Sequence, residues 1–171
     1  MKLVRLRRER FDRSPWYGFA VLESEQLLVV HAVSDRYDLD GYHAFRRLDI
    51  TSLDDTFERR DLIERALRLK QLRPERPPTP SAIDMRTLLE AVQAEYGLVT
   101  IYREAIHPDE CEIGRIRISS DETYVLHWLD TEARWSVDDR PFRFRDVTRV
   151  DFGGEYERTL LAVARDREGA G

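Results

Sequence analysis

The chain has 171 residues, 42% of them hydrophobic and 36% charged, with a formal net charge of −5. This balance describes a globular chain with a heavily charged surface and excludes an intrinsically disordered one. The single cysteine, Cys111, excludes an intramolecular disulfide and a cysteine-based zinc cluster, and no apolar run approaches the ~20 residues of a membrane span.

Taken in chain order, residues 2–9 read as a short β-run. An extended stretch passes through Gly18, and Ser24-Glu25 marks a tight polar turn. Leu27 to Val33 is nearly continuous apolar sequence, as in a strand buried on both faces. A polar loop, Ser34 to Asp40, precedes a return through Tyr42-His-Ala-Phe-Arg-Arg, and Asp49-Ile50-Thr51 closes the set. The spacing then predicts a helix capped by Asp54-Asp55, with an apolar stripe of Phe57, Leu62, Ile63, Ala66, Leu67 and Leu69. The segment Arg73-Pro-Glu-Arg-Pro-Pro-Thr-Pro80 lacks an amide donor at four of eight positions, so it cannot be regular structure and reads as a stiff spacer that does not couple its flanks. A further helix, about Ile83 to Tyr96, ends at Gly97 in a C-cap position.

After this helix the pattern starts again. Residues 97–103 are β-like, Gly114-Arg-Ile116-Arg-Ile118 alternates, and Ser120-Asp121-Glu122 is a turn. Thr123 to Leu129 is an apolar strand, which reads as buried on both faces like its counterpart. A polar loop, Asp130 to Ser136, precedes a return through Pro141-Phe-Arg-Phe-Arg, and Asp146-Val147-Thr148 closes the set. Gly153-Gly154 then introduces a helix carrying Tyr156, Leu160, Leu161 and Val163. Gly18 and His31 align with Gly114 and His127, and the offset drifts by only a few residues between Leu3-Val4/Leu98-Val99 and Phe57-Glu58-Arg59/Tyr156-Glu157-Arg158. Such self-similarity marks an internal duplication.

The reading is therefore α+β and mainly β: unit one over 1–72, a Pro-rich linker and connecting helix over 73–96, and unit two over 97–171. Four or five short strands joined by tight turns suit a small closed barrel, because closure removes exposed edges. The connecting helix has no counterpart before unit one, so it is expected to pack between the barrels.

The Gly18/Gly114 strand, the His31/His127 strand and the closing Asp49-Ile50-Thr51 and Asp146-Val147-Thr148 resemble the Sm-like and SH3-like small barrels. The pattern also resembles uncharacterised bacterial proteins that carry two such units in tandem. The resemblance spans about 130 residues and implies five bent strands with a short helix at one end of each unit. RNA-binding Sm-like proteins are expected to carry an acidic-aromatic-Met-Asn loop and a late Arg-Gly pair. Neither occurs here, so RNA binding does not follow from it.

Candidate chemistry is sparse. His31 and His127 sit at one repeated strand position, where a hydrogen-bonded core imidazole is the expected role and no third metal ligand has regular spacing. Asp35-Arg-Tyr-Asp38-Leu-Asp40-Gly41 fails as a calcium loop, since Arg36 and Arg47 would take positions that need carboxylates. It reads instead as an Asp-rich turn with Gly41 at positive φ. Carboxylates flank Cys111 and weaken it as a nucleophile. Asp138-Asp139 with Asp151, or Asp54-Asp55, would be the ligands of a metal-dependent hydrolase, but turns and caps need the same residues. No nucleophile elbow, phosphate loop or metalloprotease helix is present, so no cofactor, metal or catalytic residue is assigned.

Charge is uneven: residues 1–72 carry a net +1, residues 73–96 a net −1 and residues 97–171 a net −5. The acidic residues Asp109, Glu110, Glu112, Asp121, Glu122, Asp130, Glu132, Asp138 and Asp139 fall on turns of unit two and form a candidate face for a basic protein partner. Arg5, Arg7, Arg8, Arg10 and Arg13, close to Phe11, Trp16 and Tyr17, offer charge and stacking for nucleic acid. The expected function is a non-catalytic binding protein that engages another protein through its loops, with nucleic-acid binding by unit one as the alternative. No membrane span and no secretory signal are read, so a cytoplasmic location is expected, and the oligomeric state stays open.

Overall fold

The computed structural model describes residues 1–80 and 83–169; Ser81 and Ala82 of the linker segment and the last two residues of unit two lie outside them. Unit one contributes β1 (Lys2–Arg7), β2 (Trp16–Glu23), β3 (Leu27–Val33), β4 (Leu39–Arg46), β5 (Ser52–Asp54) and α1 (Arg60–Leu69). After the linker come α2 (Met85–Tyr96), β6 (Val99–Tyr102), β7 (Cys111–Ile118), β8 (Thr123–Leu129), β9 (Trp135–Arg143), β10 (Arg149–Phe152) and α3 (Glu155–Gly169).

The strands do not close into two barrels. They form one antiparallel ten-stranded sheet in the order β5-β1-β2-β3-β4-β10-β6-β7-β8-β9. Each unit repeats the order fifth-first-second-third-fourth, and its fifth strand lies against its first. The fourth strand of unit one does not return to its own fifth strand. It pairs instead with β10 of unit two, Phe45 opposite Arg149 and Tyr42 opposite Phe152. The expectation that the linker leaves the units uncoupled therefore fails, because the backbone itself couples them.

The duplication is visible in local detail. Ser24 and Ser120 each accept amide hydrogen bonds from the residues two and three positions on, which tightens the second-to-third strand turn. Tyr37 and Ala133 take the same left-handed conformation, φ 57° and 58°, in the third-to-fourth strand turn. The third strands both carry a bulge just after the repeated histidine, which bends the strand. A Cβ on Gly18 would meet the His31 carbonyl oxygen at 2.7 Å, and one on Gly114 would collide with that of His127. The repeated Gly and His are thus one feature, a close backbone approach that only glycine permits. Thr51 donates its amide to the Arg7 carbonyl while its hydroxyl accepts from Glu9, and Thr148 does the same with Tyr102 and Glu104.

One core joins the halves. Val21, Leu27, Val29 and Ala44 of unit one pack with Leu88, Leu89 and Val92 of α2 and with Ile101, Ile116, Leu126 and Val150 of unit two. The connecting helix does not separate the units, which meet directly at β4 and β10; it packs on the shared core, against β6 and β7 of unit two. Asp84 caps it by accepting from Thr87 N–H at 2.7 Å, and Gly97 ends it at φ 72°. The linker runs on unit one, where Glu75 N–H donates to His31 Nδ1 at 3.1 Å and Pro77 is buried.

Several local expectations are corrected. Asp54 and Asp55 do not cap α1: they pair with Arg5 and Lys2, and the helix starts at Arg60. Of its proposed stripe only Ile63 and Leu67 are buried, while Leu62 and Leu69 face out. In α3, Tyr156 and Val163 are exposed, and Ala164 joins Leu160 and Leu161 inside. β8 alternates in burial, unlike β3, which is buried almost throughout.

Introducing a methyl group at the repeated glycines should force the second and third strands apart. We expect Gly18→Ala and Gly114→Ala each to destabilise by about 1–3 kcal/mol in urea unfolding, with Gly114→Ala the more severe.

Candidate functional site

Two places concentrate chemistry. The first is a groove in unit two of about 550 Å3, bordered by the β6–β7 and β8–β9 connections. Antiparallel pairing of β7 with β8 sets Gly114 opposite Trp128. The start of β7 and the end of β8 therefore share one end of the sheet, and their loops meet there. Asp109, Glu110, Glu112 and Asp130 line this groove with an apolar set of Ile113, Leu129 and Trp135, which pack together, and with Trp128, which packs instead on the main core. Arg134 is the one cation in the lining, and Glu132 beside it forms an ion pair with Arg134 at 2.6 Å. Glu112 is held by Arg103. The outer faces of the indoles are covered by Arg115 over Trp135 at 4.1 Å and Arg140 over Trp128 at 4.4 Å.

The structure brings together only part of the predicted acidic set. Asp121 and Glu122 sit on the β7–β8 turn, at the opposite end of these strands, and Asp121 pairs with Arg86 of α2. Asp138 and Asp139 lie on β9, the outermost strand, with Asp139 3.2 Å from His127.

The second place is the seam between β4 and β10. Arg8, fully buried, holds Glu104 through two 2.8 Å bonds and Asp12 through bonds of 2.7 and 2.9 Å. Glu104 also accepts from the Thr148 hydroxyl at 2.7 Å and lies 3.4 Å from Arg149. The Arg149 guanidinium stacks on Tyr102 at 3.5 Å, with Trp16 at 4.7 Å on another side. Asp151 stands 2.7 Å from His43 Nδ1 and 3.2 Å from Arg149 Nε, though neither nitrogen is aligned for a hydrogen bond. Burial would raise the carboxyl groups of Glu104 and Asp151. The hydrogen bonds to Glu104 from Arg8 and Thr148, and the charges of His43 and Arg149 beside Asp151, outweigh it and hold both below the ordinary carboxylate range.

The His43 ring and Asp12 reach the surface in a groove of about 810 Å3 lined by Phe11, Arg13, Trp16 and Tyr17 among others. The N-terminal arginines do not form one patch around it. Arg8 is interior, Arg5 is half-buried and paired with Asp54 at 3.0 Å, and Arg7 is half-buried on β1. Arg10 and Arg13 remain exposed, Arg10 stacking on Phe11 at 5.0 Å.

The remaining candidates are dispersed. His31 is buried and stacked on Tyr42 at 4.6 Å, as a core imidazole should be; its repeat partner His127 is instead half-exposed beside Trp135. Gly41 has φ 66° as expected, yet the left-handed residue of the turn itself is Tyr37, and Asp40 accepts from Glu155 N–H at 2.7 Å to cap α3. Cys111 is surface-exposed as a residue, but partial burial of its thiol, more than the charge of Asp151, pushes the thiol up. Among the described residues no three His, Cys, Asp or Glu side chains converge as metal ligands, and no helix is long and apolar enough to cross a membrane. Comparison with protein-family models, with curated proteins and with solved structures gave no match to this chain.

Removing the acceptor at the centre of the seam leaves buried Arg8 with Asp12 alone and buried Arg149 with Asp151 alone. Glu104→Ala should cost about 3–5 kcal/mol in denaturant unfolding. Because Glu104 and Asp151 are held below their unfolded values of 4.5 and 3.8, the unfolded chain takes up protons first as pH drops. Their stabilisation should be complete above that range and lost as pH falls through and below it. Thermal melts of wild type and Glu104→Gln between pH 7 and about pH 3 should converge at the acid end.

Proposed function

We propose that the protein is a non-catalytic binding protein whose unit-two groove engages a basic segment of another protein. The carrying observation is that Asp109, Glu110, Glu112 and Asp130 line one groove with the apolar set Ile113, Leu129 and Trp135. An apolar floor with an anionic rim suits a peptide that presents Lys or Arg beside apolar or aromatic side chains. The floor supplies buried area, and the rim supplies orientation and rapid encounter. The contrast between the units supports this reading, because the equivalent unit-one groove sets Arg13 and Arg59 among Asp12, Asp35 and Asp40, whereas the unit-two groove sets Arg134 against four carboxylates.

Nucleic-acid binding by unit one is the weaker reading. Of the five N-terminal arginines only Arg10 and Arg13 are exposed, and neutralising a phosphate backbone takes more cations than that.

A panel of Lys/Arg-rich peptides and a single-stranded oligonucleotide, titrated by fluorescence anisotropy, separates the two. Basic peptides should bind, and Asp109→Lys combined with Glu110→Lys should weaken them by on the order of tenfold, about 1.4 kcal/mol, with an unchanged melting temperature. Binding of the oligonucleotide at low salt, with loss on Arg10→Glu and Arg13→Glu, would overturn this assignment.

A further inference from the structure

The ten-stranded sheet ends in two strands that lack a neighbour on one side, β5 and β9. Within the duplication β5 corresponds to β10 and β9 to β4, the two strands that pair with each other at the seam. The registers fix the correspondence residue by residue. Leu53 lies opposite Leu6 as Val150 lies opposite Ile101, and Arg140 lies opposite Leu126 as His43 lies opposite Val30. The chain thus contains one example of a fourth-strand to fifth-strand junction and carries the two complementary halves of another, unpaired, at its ends.

We infer that β9 of one copy pairs with β5 of a second copy of this chain, repeating between molecules the β4–β10 junction found within one. The internal registers place Asp54 beside Arg140 where Asp151 stands beside His43, so an acid again meets a base. Leu53 comes beside Pro141 where Val150 meets Ala44. Asp55 and Asp139 would also face each other, but each already has a cation of its own, Lys2 at 3.4 Å and His127 at 3.2 Å.

Three further observations fit. Leu53 is 38% exposed although its counterpart Val150 is buried, and Leu48 in the adjoining turn is 77% exposed. Arg46 crosses the internal junction to donate to the Arg145 carbonyl at 2.9 Å. Its counterpart Arg143 is exposed and has no side-chain partner among the described residues, and the matching acceptor in a second copy is the Leu48 carbonyl. The junction between copies is weaker than the internal one. Proline is tolerated on an edge strand with its missing donor facing outward, so Pro141 removes one ladder bond, and β5 offers only three residues. Reversible association follows. Because the two surfaces differ, every added copy presents a fresh β5 or β9 edge, and growth continues past the dimer until a ring closes.

The test is independent of the groove and of peptide binding. Light scattering on a sizing column should show the mass of the wild-type protein rising with concentration beyond the monomer. Arg140→Glu blocks β9 and Leu53→Lys blocks β5, with Asp54→Lys as the second β5 variant; circular dichroism melts confirm that each is folded. Each variant alone should be monomeric, and an equimolar mixture of a β9-blocked and a β5-blocked variant should give a dimer and nothing larger, through the one junction left intact. The inference is overturned if the wild type stays monomeric up to millimolar concentration, if assembly survives the blocking substitutions, or if the mixture fails to dimerise.

Discussion

Two buried guanidiniums govern this fold. Arg8 from unit one and Arg149 from unit two both turn inward at the seam, and both reach Glu104. Neither can be left unmatched in a low-dielectric interior; Arg149 finds Glu104 and Asp151 within its own unit, whereas Arg8 must cross to Glu104, so unit one has to stand where unit two supplies that carboxylate. Such a cluster adds little net stability over a well-packed apolar one, but it penalises misalignment heavily. Sliding β4 along β10 by one residue would move His43 off Asp151 and turn apolar side chains outward. The polar cluster therefore fixes register, and the apolar core around α2 supplies the driving force.

That division shapes where recognition can occur. The seam consumes charge that would otherwise lie on the surface, Arg8 above all. What remains exposed is set by the loops at the free ends of each unit. In unit two these loops bring carboxylates to the apolar set of Ile113, Leu129 and Trp135. In unit one the corresponding loops carry mixed charge: Arg8 and Asp12 turn into the seam, and Asp38 pairs with Lys70 just past α1. Duplication supplied a second copy of the scaffold, and divergence of the loops gave only one copy an acidic groove.

The strands, the turns and the duplication were legible in the sequence because each depends on a local signal: Ser in the turn, an apolar run, a glycine where another backbone comes close. The existence and ends of α2 were also readable, from the Asp84 cap and the left-handed Gly97, but its seat on β6 and β7 rather than between the copies was not. Closure was not. Whether β4 returns to β5 or continues to β10 depends on pairing energies between residues far apart, and both outcomes have the same strand pattern. Arg8 was misleading for a related reason. In sequence it belongs to a run of surface arginines, and only the approach of Glu104 from the other unit draws it inside. The acidic set was half legible: its residues were identified as turn residues, but which turns share an end follows from strand direction, not from composition.

The seam has a further consequence during synthesis. The partner of Phe45 and Ala44 on β4 is Val150 and its neighbours on β10, made about a hundred residues later. Every other strand of unit one finds its neighbours within the first third of the chain. A ribosome therefore extrudes a nearly finished five-stranded sheet whose β4 edge must stay vacant until β10 emerges, and Arg8 waits beside it for Glu104. This vectorial gap places the chain's greatest exposure to mispairing between neighbouring nascent chains, before the seam can form.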